Sequence, residues 1–248
     1  MSALGALRDL AKLAAGRGVR AVLLDMDGTL VDYGVDYELG RARAIRRIAV
    51  EVVGGQGLNL DARSAREIIA RVREALGAEA AEAARRIIFE EYEELELEAA
   101  SKVGLRPGAA EALREMRANG YRLALVTNNS RRATEIVLRR FPEVAGYLDA
   151  VVTRDDSGEL KPGTAGLLMA LGALHLSGRE AIMVGDTPSD MRAGKGVGAI
   201  AVGVEGGAAS AETLLEAGAD FVVGSLGDLS RALAMARRPV YLGDRSIG

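Results

Sequence analysis

Short apolar runs recur along the chain, at residues 19–24, 123–126, 147–152, 181–184, 199–202 and 221–223, and each closes on a polar or glycine-rich turn. Helical stretches lie between most of them. Uninterrupted apolar strands separated by helices predict parallel strands covered on both faces. The expected fold class is therefore α/β, a doubly wound, Rossmann-like parallel sheet. In such sheets ligands collect beyond the carboxyl ends of the strands. Here those ends read Asp25, Thr127, Thr153 and Asp186.

The alternation breaks once, over residues 33–104, where helical periodicity replaces strands. Ile45, Ile48, Val52 and Val53 share one face of a first helix that stops at Gly54-Gly55. Ile68, Ile69, Val72 and Leu76 mark a second that stops at Gly77, and Ile88, Tyr92, Leu95 and Ala99 a third. The chain thus divides into an N-terminal helical extension (1–18), an α/β core (19–32 and 105–248) and an inserted α-helical cap domain (33–104). Pro107 is placed to begin the next core helix. The N-terminal segment has leucines at helical spacing, and packs either on the core or on a second subunit. The acidic run of residues 90–98 reads as a solvated helix face.

A chain of 248 residues buries about 70 to 75% of its unfolded surface, enough for one large core and a satellite. A net charge of -3 argues against a nucleic-acid partner, which would call for a basic face. With no cysteine there is no disulfide, zinc thiolate or cysteine nucleophile, and His175 alone does not make a histidine-rich metal site. Catalysis must lean on carboxylates. No segment reads as a signal peptide or membrane span, so the expectation is a cytoplasmic protein with no membrane partner, a monomer or homodimer. Only four of the 32 cationic residues are lysines: Lys12, Lys102, Lys161 and Lys195.

The first strand runs straight into Asp25-Met26-Asp27-Gly28-Thr29-Leu30. Two carboxylates two residues apart, where an extended chain turns, can converge on one hard divalent cation and leave an oxygen free to attack. Gly28 lets backbone approach an anionic group closely. Thr127-Asn128-Asn129-Ser130, after the second strand, offers hydroxyls, amides and a helix N-terminus to a phosphate. Lys161, before Pro162-Gly163, supplies a cation. Gly185-Asp186-Thr187-Pro188-Ser189-Asp190 supplies two more carboxylates, with Thr187 as N-cap and Pro188 at N1. Taken singly, each has a bland reading: a turn, a surface lysine, a helix cap. Four such elements, each ending its own βα unit, do not.

In this order the elements closely resemble the four motifs of the haloacid dehalogenase superfamily, and within it the small-molecule phosphatases of the phosphoglycolate phosphatase type; the helical insert stands where that family carries a type-1 cap. The resemblance implies a Mg²⁺-dependent phosphatase acting on a small phosphorylated substrate through an aspartyl-phosphate. It makes Asp25 the nucleophile and Asp27 the general acid and base. Thr127, Asn128, Lys161 and Gly28 would bind the phosphoryl group. Asp25, Asp186, Asp190 and the backbone carbonyl of Asp27 would form the metal site, with Asp190 alternatively supporting Lys161. Phosphoglycolate, sugar phosphates, nucleotides and pyrophosphate all fit as substrates.

Asp27 separates the branches of that superfamily: the dehalogenases carry another residue there and the transport ATPases typically Thr. The phosphonatases need a cap lysine, and the insert has only Lys102, at its very end. A phosphomutase of the β-phosphoglucomutase type shares the core motifs and stays open, as does a catalytically silent binding module on the same scaffold. Arg41, Arg43, Arg46 and Arg47 either reach a second anionic group of the substrate or form a solvated face. Tyr33 and Tyr37 are candidates for the pocket wall. His175 reads as a helix-terminal surface residue, and Gly206-Gly207 as a plain loop.

Overall fold

The six apolar runs become six strands in the computed structural model, which describes residues 3–32, 34–55, 57–62 and 64–237. These are β1 (Ala21–Leu24), β2 (Arg122–Val126), β3 (Ala150–Val152), β4 (Ala181–Gly185), β5 (Ile200–Val204) and β6 (Phe221–Val223). They form one sheet in the order β3-β2-β1-β4-β5-β6, with every neighbouring pair parallel. The chain leaves β1 toward β2 and β3, then returns to lay β4 on the other side of β1. That reversal opens a crevice at the carboxyl ends of β1 and β4, where such sheets bind ligands.

The helices are α1 (Ala3–Arg17), α2 (Tyr37–Glu51), α3 (Ala65–Ala100), α4 (Ala109–Ala118), α5 (Arg131–Arg140), α6 (Pro142–Ala145), α7 (Arg154–Ser157), α8 (Ala165–Leu174), α9 (Pro188–Gly196), α10 (Ala211–Glu216) and α11 (Leu226–Arg237). The central strands are buried on both faces, and alternate residues sort the core. Val22 and Leu24 pack with Leu10, Leu113 and Leu229 of α1, α4 and α11, while Ala21 and Leu23 pack with Leu167, Leu171 and Ala193 of α8 and α9. The N-terminal segment therefore packs on the core, through Leu7, Leu10 and Ala14.

Between β1 and β2, α2 and α3 share an apolar cluster of their own that includes Ala44, Ile48, Ile68, Val72, Ile88 and Tyr92. The second and third helices of the insert meet at Gly77, whose φ of 87° interrupts the helical run. One start differs from the sequence reading. α4 begins at Ala109 rather than Pro107, because Gly108 takes a left-handed conformation (φ 75°) at the N-cap and the helix can only form after it. Among the described residues no helix is long and apolar enough to cross a membrane.

A short 3₁₀ turn, Gly178–Glu180, leads into β4 at the end of the sheet away from the crevice. A Cβ at Gly178 would overlap the carbonyl oxygen of Val197, which is backbone and cannot swing aside. Gly178→Ala is expected to cost about 2 kcal/mol. By calorimetry Tm should fall by roughly 4–8 °C, with activity per folded molecule unchanged; an unaltered Tm would contradict this packing.

Candidate active site

Asp25 is the first residue beyond β1, and its N–H donates to Val184 O at 2.9 Å, which keeps it in register with β4. Lys161 Nζ lies 2.6 Å from Asp25 Oδ1 and 2.6 Å from Asp190 Oδ1, and donates to Val126 O at 2.9 Å. All three side chains are buried. Burial works against the charge of Lys161, but Asp190 and Asp25 outweigh it and hold its pKa above the ordinary lysine value. Burial likewise pushes Asp25 well above the usual carboxylate range; Lys161 pulls it back in part, and Asp190 and Asp186 push it further up. The site gathers more negative charge than one lysine neutralises.

Asp186 follows β4. Its Oδ2 accepts the Ala208 N–H at 2.6 Å, while its Oδ1 is buried with no hydrogen-bond partner. Burial raises its pKa to about 6, against the Ala208 N–H and with Asp190 adding to the rise. A side chain on Gly28 or Gly207 would overlap this carboxylate. The close approach expected of Gly28 is therefore made to Asp186, and the Gly28 N–H is taken by Val31 O at 2.8 Å rather than held for a phosphoryl oxygen. The loop of Gly206-Gly207, read from sequence as plain, walls in Asp186 and leads to the N–H that binds it.

Asp190 fulfils two readings together. Its Oδ2 accepts from the Thr187 N–H at 3.1 Å and hydroxyl at 2.6 Å in a capping box at the start of α9, with Pro188 at N1, and its Oδ1 meets Lys161. Among the described residues, the carboxylates close enough to share one metal ion are Asp25, Asp186 and Asp190, with oxygens within 4.8 Å of one another. The Asp27 side chain stands outside that group. Its Oδ2 accepts from Asn129 Nδ2 at 2.8 Å. Burial raises its pKa to about 6, the Asn129 bond opposing and Glu96 adding.

The Thr127 hydroxyl oxygen accepts the Asn129 N–H at 3.1 Å, which leaves its own proton to donate. Asn128 has a different use from the phosphate contact expected: its Oδ1 accepts the Lys161 N–H at 2.8 Å, so it fixes the lysine loop. A cavity of about 390 Å³ lies over these residues. Asp25, Asp27, Thr127, Lys161 and Asp190 line it from the sheet, and Tyr37, Arg41, Ser64, Arg66 and Tyr92 from the helices of residues 37–100.

The arginine cluster divides. Arg41 lines the cavity, whereas Arg47 pairs with Glu51, Glu90 and Glu91, and Arg43 lies 3.8 Å from Glu94. His175 is the exposed C-cap of α8, as expected. Tyr33 lies outside the described residues. The acidic run is corrected in part: Glu90, Glu94 and Glu98 are exposed as expected, but Glu91 and Glu96 are buried. Glu96 pairs with the buried Arg154 and accepts the Ser130 N–H at 2.9 Å. The signal was there, since Glu96 continues the buried i, i+4 stripe of Ile88 and Tyr92. Arg154 gave a weaker one, as the first residue after the strand-end Thr153.

A sequence profile of the haloacid dehalogenase-like hydrolases matches residues 19–198. A phosphoglycolate phosphatase from Nitrosospira multiformis is 28% identical over 87% of this chain and 96% of its own length. Pyrophosphatase PpaX from Bacillus velezensis is 34% identical over 48% of this chain and 55% of its own. Among solved structures, a candidate beta-phosphoglucomutase from Thermotoga maritima superposes with a TM-score of 0.57 at 26% identity, covering 87% of this chain and 99% of that one.

Proposed function

The chain belongs to the haloacid dehalogenase-like hydrolases, and on that premise we propose that it is a divalent-cation-dependent phosphatase of small-molecule phosphomonoesters, working through an aspartyl-phosphate on Asp25. The observation that carries this reading is Lys161 Nζ held between Asp25 and Asp190 at 2.6 Å from each, in a cavity that Asp27 and Thr127 also line.

The residues fit a magnesium ion. Asp186 presents a buried oxygen without a partner, and three buried carboxylates sharing one lysine leave negative charge to be balanced. Asp25, Asp186 and the backbone carbonyl of Asp27 would hold it; Asp190, engaged on both oxygens, serves the site by holding Lys161. When bound, the cation neutralises charge on the phosphoryl oxygens and on Asp25.

The remaining chemistry falls to the side chains. A carboxylate oxygen of Asp25 attacks phosphorus as the bond to the leaving oxygen breaks, and Asp27 gives that oxygen a proton. Water then attacks the acyl phosphate, Asp27 takes back a proton, and Asp25 departs as carboxylate. The net reaction is ester plus water to alcohol plus phosphate. Lys161 and Thr127 bind the transferring group in both steps.

Residues 33–104 act as the cap, and Arg41, Arg66 and Tyr92 face the leaving group. Phosphoglycolate is the first substrate to test, followed by sugar phosphates, nucleotides and pyrophosphate. A second reading, a phosphomutase, is favoured by the likeness to the Thermotoga maritima structure. A panel of phosphomonoesters decides. With Mg²⁺ several members should release phosphate, and after chelation release should fall at least ~100-fold. Silence across the panel would remove the phosphatase reading, and a sugar phosphate isomerised only with a bisphosphate activator would replace it with the mutase.

A further inference from the structure

Asp27 is joined to a part-buried chain of polar side chains that the mechanism above does not use. The Tyr37 hydroxyl hydrogen-bonds to Asn129 Oδ1 and lies 3.3 Å from Glu96 Oε1, and Asn129 Nδ2 donates to Asp27 Oδ2 at 2.8 Å. We propose that Tyr37 is a positioning residue for Asp27: acting through Asn129, its hydroxyl sets which end of the amide meets Asp27 Oδ2 and so holds that carboxyl in place for proton transfer to the departing alcohol. The inference rests on the phosphatase reading.

The hydroxyl has one proton, and Asn129 Oδ1 and Glu96 Oε1 are acceptors within its reach among the described residues. Glu96 does not need it. Its Oε1 is paired with Arg154 Nη1 and its Oε2 accepts the Ser130 N–H at 2.9 Å. Arg154 is anchored in turn by Asn128 O at 3.0 Å and Phe89 O at 2.9 Å. The two side chains are 0% and 1% exposed, so water does not compete for them. The Tyr37 hydroxyl also stands closer to Asn129 Oδ1 than to Glu96 Oε1, so its proton goes to Asn129.

An amide is two-ended, and its orientation follows from its neighbours. With its oxygen facing the Tyr37 donor, Asn129 must turn its NH₂ to Asp27. The reverse orientation would set the amide oxygen against the Asp27 carboxylate. The N–H on Oδ2 fixes the plane of the Asp27 carboxyl and leaves Oδ1 for the leaving oxygen. The Tyr37 ring is fixed by an edge contact with Tyr92, centroids 5.1 Å apart, and by the Asp36 cap of α2.

The test exploits leaving-group chemistry. An alkoxide needs a proton to leave, and 4-nitrophenolate does not. Tyr37→Phe keeps the ring packing and removes the hydroxyl. Its kcat/KM, which reports transfer to Asp25, should fall roughly 10-fold for an alkyl phosphomonoester and less than about 2-fold for 4-nitrophenyl phosphate. Asn129→Ser, one link closer, should show the same split. In an Asp27→Asn background, Tyr37→Phe should add no further loss. Equal losses on both esters, or no loss, overturn the inference while leaving the phosphatase standing. No turnover by the unaltered protein removes both.

Discussion

Asp25→Asn should release no phosphate above background from any ester that the unaltered protein hydrolyses. An amide in that position can still accept hydrogen bonds from Lys161, but it cannot form the acyl phosphate, and the other carboxylates are committed. Asp190 is tied to Thr187 and Lys161, and Asp186 to Ala208 through Oδ2, with its unpartnered Oδ1 assigned to the cation. The same variant makes a second prediction about stability. A carboxyl whose folded pKa lies above its unfolded value binds its proton more tightly when folded, so its ionisation works against the fold above the folded pKa. Lowering pH through that value toward 3.8 relieves the penalty. In metal-free protein the penalty grows as pH rises above 3.8, and Asn lacks it. Thermal melts at pH 8 with chelator should therefore give Asp25→Asn a Tm no lower than the unaltered protein, with the gap closing as pH falls. Near-normal phosphate release from pure Asp25→Asn protein would sink the nucleophile assignment; a collapsed Tm would show that Asp25 holds the fold.

Much of this architecture is legible in the chain because burial leaves a periodic trace. Strands covered on both faces, such as Ala21–Leu24 and Ala181–Gly185, have no polar position, and the sheet follows from that. The residues at strand ends were readable for the same reason, since Asp25 and Asp186 mark where the apolar run stops. Partnerships across long separations leave no such trace. That Asn128 grips the Lys161 backbone, or that Ala208 donates to Asp186, depends on how two loops pack, and neither residue type is unusual in a loop. Glu96 is intermediate. It sits on the apolar face of α3, yet the surrounding glutamates give it the look of a solvated charge until Arg154, at the start of α7 after β3, is seen to meet it.

The roles of Asp25 and Asp27 differ because their surroundings do. Asp25 has Lys161 at 2.6 Å, whereas Asp27 has a neutral amide, and its burial raises the carboxyl to about 6. At pH 7 an ordinary aspartic acid carries its proton in fewer than ~1 molecule in 1,000, and one with a pKa of 6 in about 1 in 10. That fraction suits a group that must give a proton in one step and accept one in the next. Asp27→Asn can do neither, and should lose roughly 10²–10⁴-fold in kcat on alkyl esters. On 4-nitrophenyl phosphate the loss should divide between the steps. Transfer to Asp25 needs no proton and should persist, while attack by water lacks its base. Rapid mixing should then show one equivalent of nitrophenolate released in a burst, and intact mass spectrometry one phosphoryl group retained on the protein. The kcat/KM of the unaltered protein on alkyl esters should decline on the alkaline side as Asp27 loses its proton, and in the variant that decline should be absent. A variant that turns over without a burst, or that keeps the alkaline decline, would place the acid and base on another residue.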